Sequence, residues 1–370
     1  MITYIIVSLV ALVLSSICGF IFIPRILKYC KDKNLYDIPN QRKVHKNAIP
    51  RLGGVSFLPS MLIATIIALF VWSYAYNGKK IQISPWTIYF ALGLAVIYTI
   101  GLLDDIFGVK AKHKFFIQIF VSSLLPISSL YINNFYGFLG IEQVPFWIGA
   151  PLTVFVLVFI MNAINLIDGI DGLSSGLSFI ALTGFFYCFF VEQLWVYCIL
   201  IAGLMGVLIP YFYFNMFGKA ENNKKIFMGD SGSLTIGYIL GVLLVKFCMD
   251  NPHVMNYRKE SMFLSVTLLI VPTFDVCRVI IARFIHRYGI FQPDKNHIHH
   301  KMMRMGLTQH QALAAIIGLA IFFIVFNTVL LGVLSITILV FLDIFIYSVL
   351  HLAIINPIIK RKGLKPFQEV

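Results

Sequence analysis

Residues 162–172 read NAINLIDGIDG, follow an apolar run, and set Asn162, Asn165, Asp168 and Asp171 at steps of three. A helix running to about Asp168 keeps the first three on one arc of its surface. Gly169 and Gly172 then loosen the backbone so that Asp171 turns inward too. Four oxygen-bearing side chains are thereby predicted to meet at one helix end. Such groups are expensive in lipid, so in an apolar chain their presence calls for a function.

The surrounding chain is apolar enough to make lipid its solvent. Of 370 residues, 59% are hydrophobic and 12% charged, with a mean hydropathy of +0.88. A soluble domain has about 45–50% apolar and about 25% charged residues. Apolar runs near 3–23, 54–76, 86–103, 115–132, 147–167, 173–191, 194–217, 232–249, 261–281, 312–333 and 335–357 match the roughly 20 residues that cross a bilayer. The expected fold is all-α, a polytopic membrane protein of ten or eleven transmembrane helices. The first run has no basic residue ahead of it and is followed by Pro24 and Arg25, so it reads as a retained span. No repeat or linker divides the chain, and residues 1–370 read as one domain.

Charge sets the expected topology. With eleven spans, the segments 28–53, 104–114, 168–172, 218–231, 282–311 and the tail from Lys360 share one side, where Lys and Arg crowd. The opposite segments hold only Lys79, Lys80, Arg258 and Lys259. The rich side is expected to be cytoplasmic, with the N-terminus outside and the C-terminus inside. The formal charge of +13 therefore reflects topology, anionic head groups and phosphates. No groove-reading motif accompanies it, so no nucleic-acid partner is expected. The six cysteines are scattered, without CxxC or framework spacing, and read as small buried residues.

The polar motifs all fall on the basic side. Asp37-x-Pro39-Asn40 and Arg42-Lys43-x-His45 precede Lys46, Arg51 and the Gly53-Gly54 pair, an order that suits either a topological anchor or a place near a phosphate. Asp104 and Asp105 close the third span, with Lys110, Lys112, Lys114 and Gln118 after them. Adjacent carboxylates at a helix mouth repel unless a cation or a shared proton sits between them. Asn165 and Asp168 are hard oxygen donors of the kind Mg²⁺ accepts. Asp230, in FMGDSGS, opens a membrane helix, where a carboxylate serves as a cap or as a ligand. His297, His299 and His300 lie among Asp294, Lys295, Lys301 and Arg304, and these cations favour a diphosphate over a transition metal. Asp275 and Arg278, three apart, are expected to pair on one helix face.

From the Pro39–His45 loop through GLLDDIFGVK, NAINLIDGIDGL, FMGDSGSL and PDKNHIHH, the chain resembles the polyprenyl-phosphate N-acetylhexosamine-1-phosphate transferases of bacterial cell-envelope synthesis. That resemblance implies transfer of a sugar 1-phosphate from a UDP-sugar to undecaprenyl phosphate, release of UMP, and a requirement for Mg²⁺, with Mn²⁺ as a substitute and a homodimer as a candidate assembly. It makes Asn165 and Asp230 the metal ligands. Asp104 and Asp105 become the acids that orient or deprotonate the lipid phosphate or lie near the metal, and Lys114 a phosphate contact. Asp168 and Asp171 support the nucleotide side, and His297, His299 and His300 contact the diphosphate or sugar. The HIHH form resembles the branch acting on N-acetylglucosamine. The alternative, phospho-N-acetylmuramoyl-pentapeptide transferase, more often carries three consecutive histidines, against which Ile298 argues. A cation-coupled transporter is the alternative from another class, but its acids belong near mid-bilayer.

Overall fold

The computed structural model describes residues 2–37, 48–75, 85–289, 292 and 294–368. Pro39, Asn40, Arg42, Lys43, His45, Lys46, Lys79, Lys80 and Pro293 lie outside the described residues.

The chain is a helical, multi-pass membrane protein. It runs through α1 (Ile2–Asp32), α2 (Phe57–Ala75), α3 (Pro85–Phe107), α4 (Ala111–Ile127), α5 (Phe146–Ile167), α6 (Leu173–Val191), α7 (Trp195–Met216) and α8 (Gly229–Cys248). Then follow α9 (Ser261–Thr267), α10 (Ile270–Ile285), α11 (Ile298–Arg304), α12 (Gln309–Leu330), α13 (Ile336–Val349) and α14 (Asn356–Arg361). Among the described residues nine helices are long and apolar enough to cross a membrane, or up to ten with the bent pair α9–α10 counted as one. Each predicted apolar run falls on a helix, α4 being a 17-residue one.

The ninth run departs from a straight span, for α9 and α10 meet at 73°. Pro272 has no N–H to give the carbonyl of Leu268, and its ring crowds that carbonyl, so the helix breaks there.

At the centre stands α8, buried from Ser231 to Cys248 and packed between α3 and α5. Below Ser233 it is mostly apolar all round, as suits a helix enclosed by other helices, with Thr235, Tyr238 and Lys246 as its polar members. A second core of Ile167, Leu173, Val271, Ile298, Met302, Ala312 and Tyr347 seats α11 against α10, α12 and α13. Among the described residues there are two strand pairs. β1 (Tyr36–Asp37) pairs antiparallel with β2 (Ile49–Pro50), and β3 (Asn134–Phe138) with β4 (Ile141–Gln143) at the far end of α4.

α5 ends at Ile167, with Asp168 as its C-cap, and Gly172 turns left-handed at φ 75° to start α6. Asn162 does not join the other polar groups of this stretch. Its Nδ2 donates to Gln118 Oε1 on α4 at 2.7 Å and to its own helix at Val158 O. This is an interhelical polar bond inside the membrane. Asn162→Ala is expected to lower stability by about 0.6–1.7 kcal/mol, and to cost measurably less in a Gln118→Ala background. Unfolding in detergent mixtures measures both, and full additivity would show that the two side chains do not interact.

Candidate active site

The ends of α3, α5 and α8 meet the loops before α8 and α12 in a cavity of about 770 Å³. Asp104, Asp105, Asn165, Asp168, Asp171, Asp230, Arg51, Lys225 and His300 line it. Backbone bonds close its wall. Phe227 N donates to Pro50 O, Gly53 N to Phe227 O and Gly54 N to Met228 O, at 2.8–2.9 Å. The end of the first loop is thus sewn to the segment that presents Asp230.

The two adjacent acids of α3 have different work. Buried Asp105 accepts the backbone N–H of Asp230 on Oδ1 at 2.8 Å and that of Ser231 on Oδ2 at 2.9 Å. It caps the first turn of α8 from outside, satisfying donors that a helix start leaves free. Gly229 makes room for it: the residue has φ +73°, and a Cβ there would collide with Arg51 O and crowd the Asp105 carboxylate. Asp104 accepts Val109 N at 2.6 Å and Lys114 Nζ at 3.1 Å. The same Lys114 ammonium reaches Asp230 Oδ2 at 2.6 Å. Arg51 Nε donates to Asp105 O at 2.8 Å.

On the opposite wall, Asn165 Nδ2 donates to Asp230 Oδ1 at 3.1 Å and to Ser233 Oγ at 2.8 Å. Asp171 is neutralised by Lys225 Nζ at 2.6 Å. Asn215 braces both loops, accepting Gly172 N at 2.7 Å and donating to Ile226 O at 2.9 Å. Asp168 stands apart, because its carboxylate accepts no hydrogen bond from a described residue. Burial pushes it up to about 7, and the charges of Asp171, Asp230 and Asp105 add to the shift.

The histidines divide. His300 lines the cavity, and burial, with His297, Lys295 and Arg304 adding, brings it down to about 4, a neutral imidazole at neutral pH. His299 is 1% exposed with neither ring nitrogen hydrogen-bonded, and a Cβ at position 169 would collide with its ring. Buried His297 gives Nδ1 to Asp275 Oδ2 at 2.8 Å and does not line the cavity.

Residues 87–248 match the Glycosyl transferase family 4 profile. A "Probable undecaprenyl-phosphate N-acetylglucosaminyl 1-phosphate transferase" of Bacillus subtilis (strain 168) is 31% identical over 322 residues, covering 83% of this chain and 80% of its own. This chain belongs to glycosyl transferase family 4. Two further relatives of this family 4 chain are each named "Undecaprenyl-phosphate alpha-N-acetylglucosaminyl 1-phosphate transferase". That of Yersinia pestis is 29% identical, covering 80% of this chain and 77% of its own. That of Escherichia coli (strain K12) is 29% identical over 80% and 76%.

The family 4 cavity fits a divalent cation. Carboxylate oxygens of Asp104, Asp105 and Asp230 lie within 4.8 Å of one another. All are hard donors, and turning the Asn165 amide over adds a fourth oxygen beside Asp230. Asp105 is already committed to two N–H groups, which leaves Asp230, Asn165 and Asp104 as the set for an ion, in place of or beside the Lys114 ammonium. Asn165, Asp168, Asp171, Asp104, Asp105, Asp230 and His300 therefore converge, with Lys114 behind the acids, whereas Asn162, His297 and His299 do not reach the cavity. Sequence reasoning passed over Lys225 and Asn215. A lone Asn inside the apolar α7 was the available signal for the second; nothing marked the first among its neighbouring lysines.

The raised Asp168 carries a consequence for stability. Its folded value near 7 exceeds the ordinary 3.8, so the folded state holds the proton longer, and ionising Asp168 opposes folding. In metal-free buffer the wild type is expected to lose stability relative to Asp168→Asn as pH rises from about 4 to about 7, and to level off above. Melting temperatures of both proteins across that range measure it; curves that stay parallel would place Asp168 in contact with a partner that offsets its burial.

Proposed function

We propose that this protein transfers N-acetylglucosamine 1-phosphate from UDP-N-acetylglucosamine to undecaprenyl phosphate, releasing UMP and leaving a lipid-linked diphosphate sugar for a cell-envelope polysaccharide. The names of its relatives support the donor sugar and the acceptor. The observation that carries the reading is the cavity itself. Its lining gathers oxygens suited to a divalent cation, with Arg51 beside the acids and Lys219 and Lys225 elsewhere on the lining to meet phosphates. The proposed topology has eleven spans, the N-terminus outside and the C-terminus inside, and puts this cavity at the cytoplasmic surface of the inner membrane. There a soluble nucleotide sugar and a lipid phosphate can both reach it.

In this proposal Asp230 and Asn165 would hold Mg²⁺, with Asp104 beside them. The ion, when bound, offsets diphosphate charge and polarises the transferred phosphoryl group. Asp168 receives the remaining proton of the lipid phosphate, the role that sequence reasoning gave to the adjacent acids. Its freedom from protein donors and its value near 7 suit a group taking a proton from a phosphate whose second pKa is about 6. One oxygen of the lipid phosphate then attacks the β-phosphorus in line; the bond to the UMP oxygen breaks, and UMP leaves. Asp171, tied to Lys225, borders the nucleotide side. His300 meets the diphosphate or sugar as a neutral hydrogen-bonding group.

Purified protein with undecaprenyl phosphate and Mg²⁺ is expected to release UMP from UDP-N-acetylglucosamine and not from UDP-N-acetylmuramoyl-pentapeptide. The opposite preference would move the chain to the peptidoglycan branch, and labelled sugar phosphate trapped on the protein without acceptor would replace the direct attack with a covalent one. Asp230→Asn is expected to lose about 100-fold or more in turnover while remaining folded. Mg²⁺ is also expected to raise the melting temperature of the wild type and not of that variant. Equal Mg²⁺ stabilisation of both would take Asp230 out of the metal set.

A further inference from the structure

The loop that carries the histidines is anchored in the membrane. Asp275, on α10, has no exposed surface and gathers three donors. Arg278 gives it Nη2 at 2.6 Å, the His297 ring gives Nδ1 at 2.8 Å, and the backbone N–H of Ile298 comes to Oδ1 at 2.9 Å. Ile298 is the first residue of α11, so this carboxylate caps α11 from another helix while fixing the ring of its N-cap residue, His297. Arg278 also donates to Asn296 O at 2.6 Å, holding the strand of chain just before.

What hangs from that anchor reaches the cavity. α11 has seven residues, so its orientation follows its first turn. His299 carries the orientation to the Asp168 loop: its buried ring occupies the space a Cβ at residue 169 would take, next to Asp168 in the chain. His300 packs on His299 with ring centroids 4.2 Å apart and lines the cavity. Because neither nitrogen of His299 is hydrogen-bonded, its contact with Gly169 is one of shape, and any tilt of α11 is passed on as displacement.

We propose that Asp275 is a positioning residue of the transfer reaction. Through His297 and the first turn of α11 it sets the placement of His300 and, by way of His299 against Gly169, of the Asp168 carboxylate. Asp275 itself lines no part of the cavity. The inference rests on the transferase reading for its activity measurement.

The experiment compares UMP release and detergent melting temperature for wild type, Asp275→Asn, His297→Gln and the double variant. Asp275→Asn keeps size and an acceptor for Ile298 N, but strands the Arg278 charge. The paired change Asp275→Asn with Arg278→Gln removes both charges and stands in if the single variant does not fold. Displacement of reacting groups by about 1 Å costs on the order of 100-fold in rate, so kcat is expected to fall by about that factor with KM for the nucleotide sugar within about threefold. In the His297→Gln background the same change is expected to cost less than about threefold, since both variants break one arrangement. A purely structural role would lower the melting temperature and leave kcat of the folded fraction unchanged. That result, or costs that multiply in the double variant, overturns the proposal. No UMP from the wild type would overturn the transferase reading instead, and this inference with it; normal wild-type turnover with a normal Asp275→Asn kcat overturns the inference alone.

Discussion

The carboxylate of Asp105 accepting two backbone N–H groups at the start of α8 is the contact on which the site depends. α8 is buried from Ser231 onward, so the N–H of Ser231 needs a protein partner, and that of half-buried Asp230 is paired with the same carboxylate. Leaving buried N–H groups unpaired costs about 1–3 kcal/mol each. A carboxylate supplies two acceptors at once, and charge-assisted bonds are the stronger kind. Meeting that requirement has a geometric result. α3 and α8 are locked end to end, Gly229 is held at φ +73°, and Asp230 is turned toward Asn165 and Lys114.

Around this lock, most of the acids have a cation or a backbone donor against them. Lys114 bridges Asp104 and Asp230, Lys225 answers Asp171, and Arg278 answers Asp275. Asp168 has neither kind of partner among the described residues, and burial first, then the charges of Asp171, Asp230 and Asp105, raise its value. A carboxylate kept partly buried and without donors lowers the stability of the fold, a cost that functional sites bear. Asp168 accepts no hydrogen bond from a described residue, so it can gain or lose its proton without breaking a bond to the framework.

Much of this was legible in the sequence because lipid leaves few options. Long apolar runs in a membrane must be helices, since every backbone polar group has to be paired internally. The runs accordingly fell on helices, and the polar clusters between them fell at helix ends. What periodicity could not resolve was direction within a cluster. Three residues advance an α-helix by about 300°, a step back of about 60°, so Asn162 and Asp168 lie about 120° apart. That is too wide for one face, and Asn162 turned to Gln118 while Asn165 and Asp168 faced the cavity. Asp105 beside Asp104 posed the same difficulty, since adjacent residues point about 100° apart. The Asp275–Arg278 pair was readable from its spacing. The third partner, His297, was not, because a contact across 22 residues leaves no periodic trace.

The polarity of the helix ends decides what the cavity can hold. α3 and α5 bring their C-termini to it, where the free carbonyls carry negative partial charge, and both place aspartates there. A carboxylate at a C-terminus is disfavoured twice, by the dipole and by its neighbours, unless a cation is present. Lys114 is one such cation, but a single ammonium is shared between Asp104 and Asp230, and Asp168 has none. α8 brings the opposite pole, and its first N–H groups are already taken by Asp105. The cations of the cavity lining therefore come from its loops: Lys219 and Lys225 before α8, and Arg51 against the end of α3. A ligand filling such a space needs a positive charge against the acids and negative charge against the loop cations. A divalent ion bound to a diphosphate has that order of charges, and an ion moving alone through the protein does not.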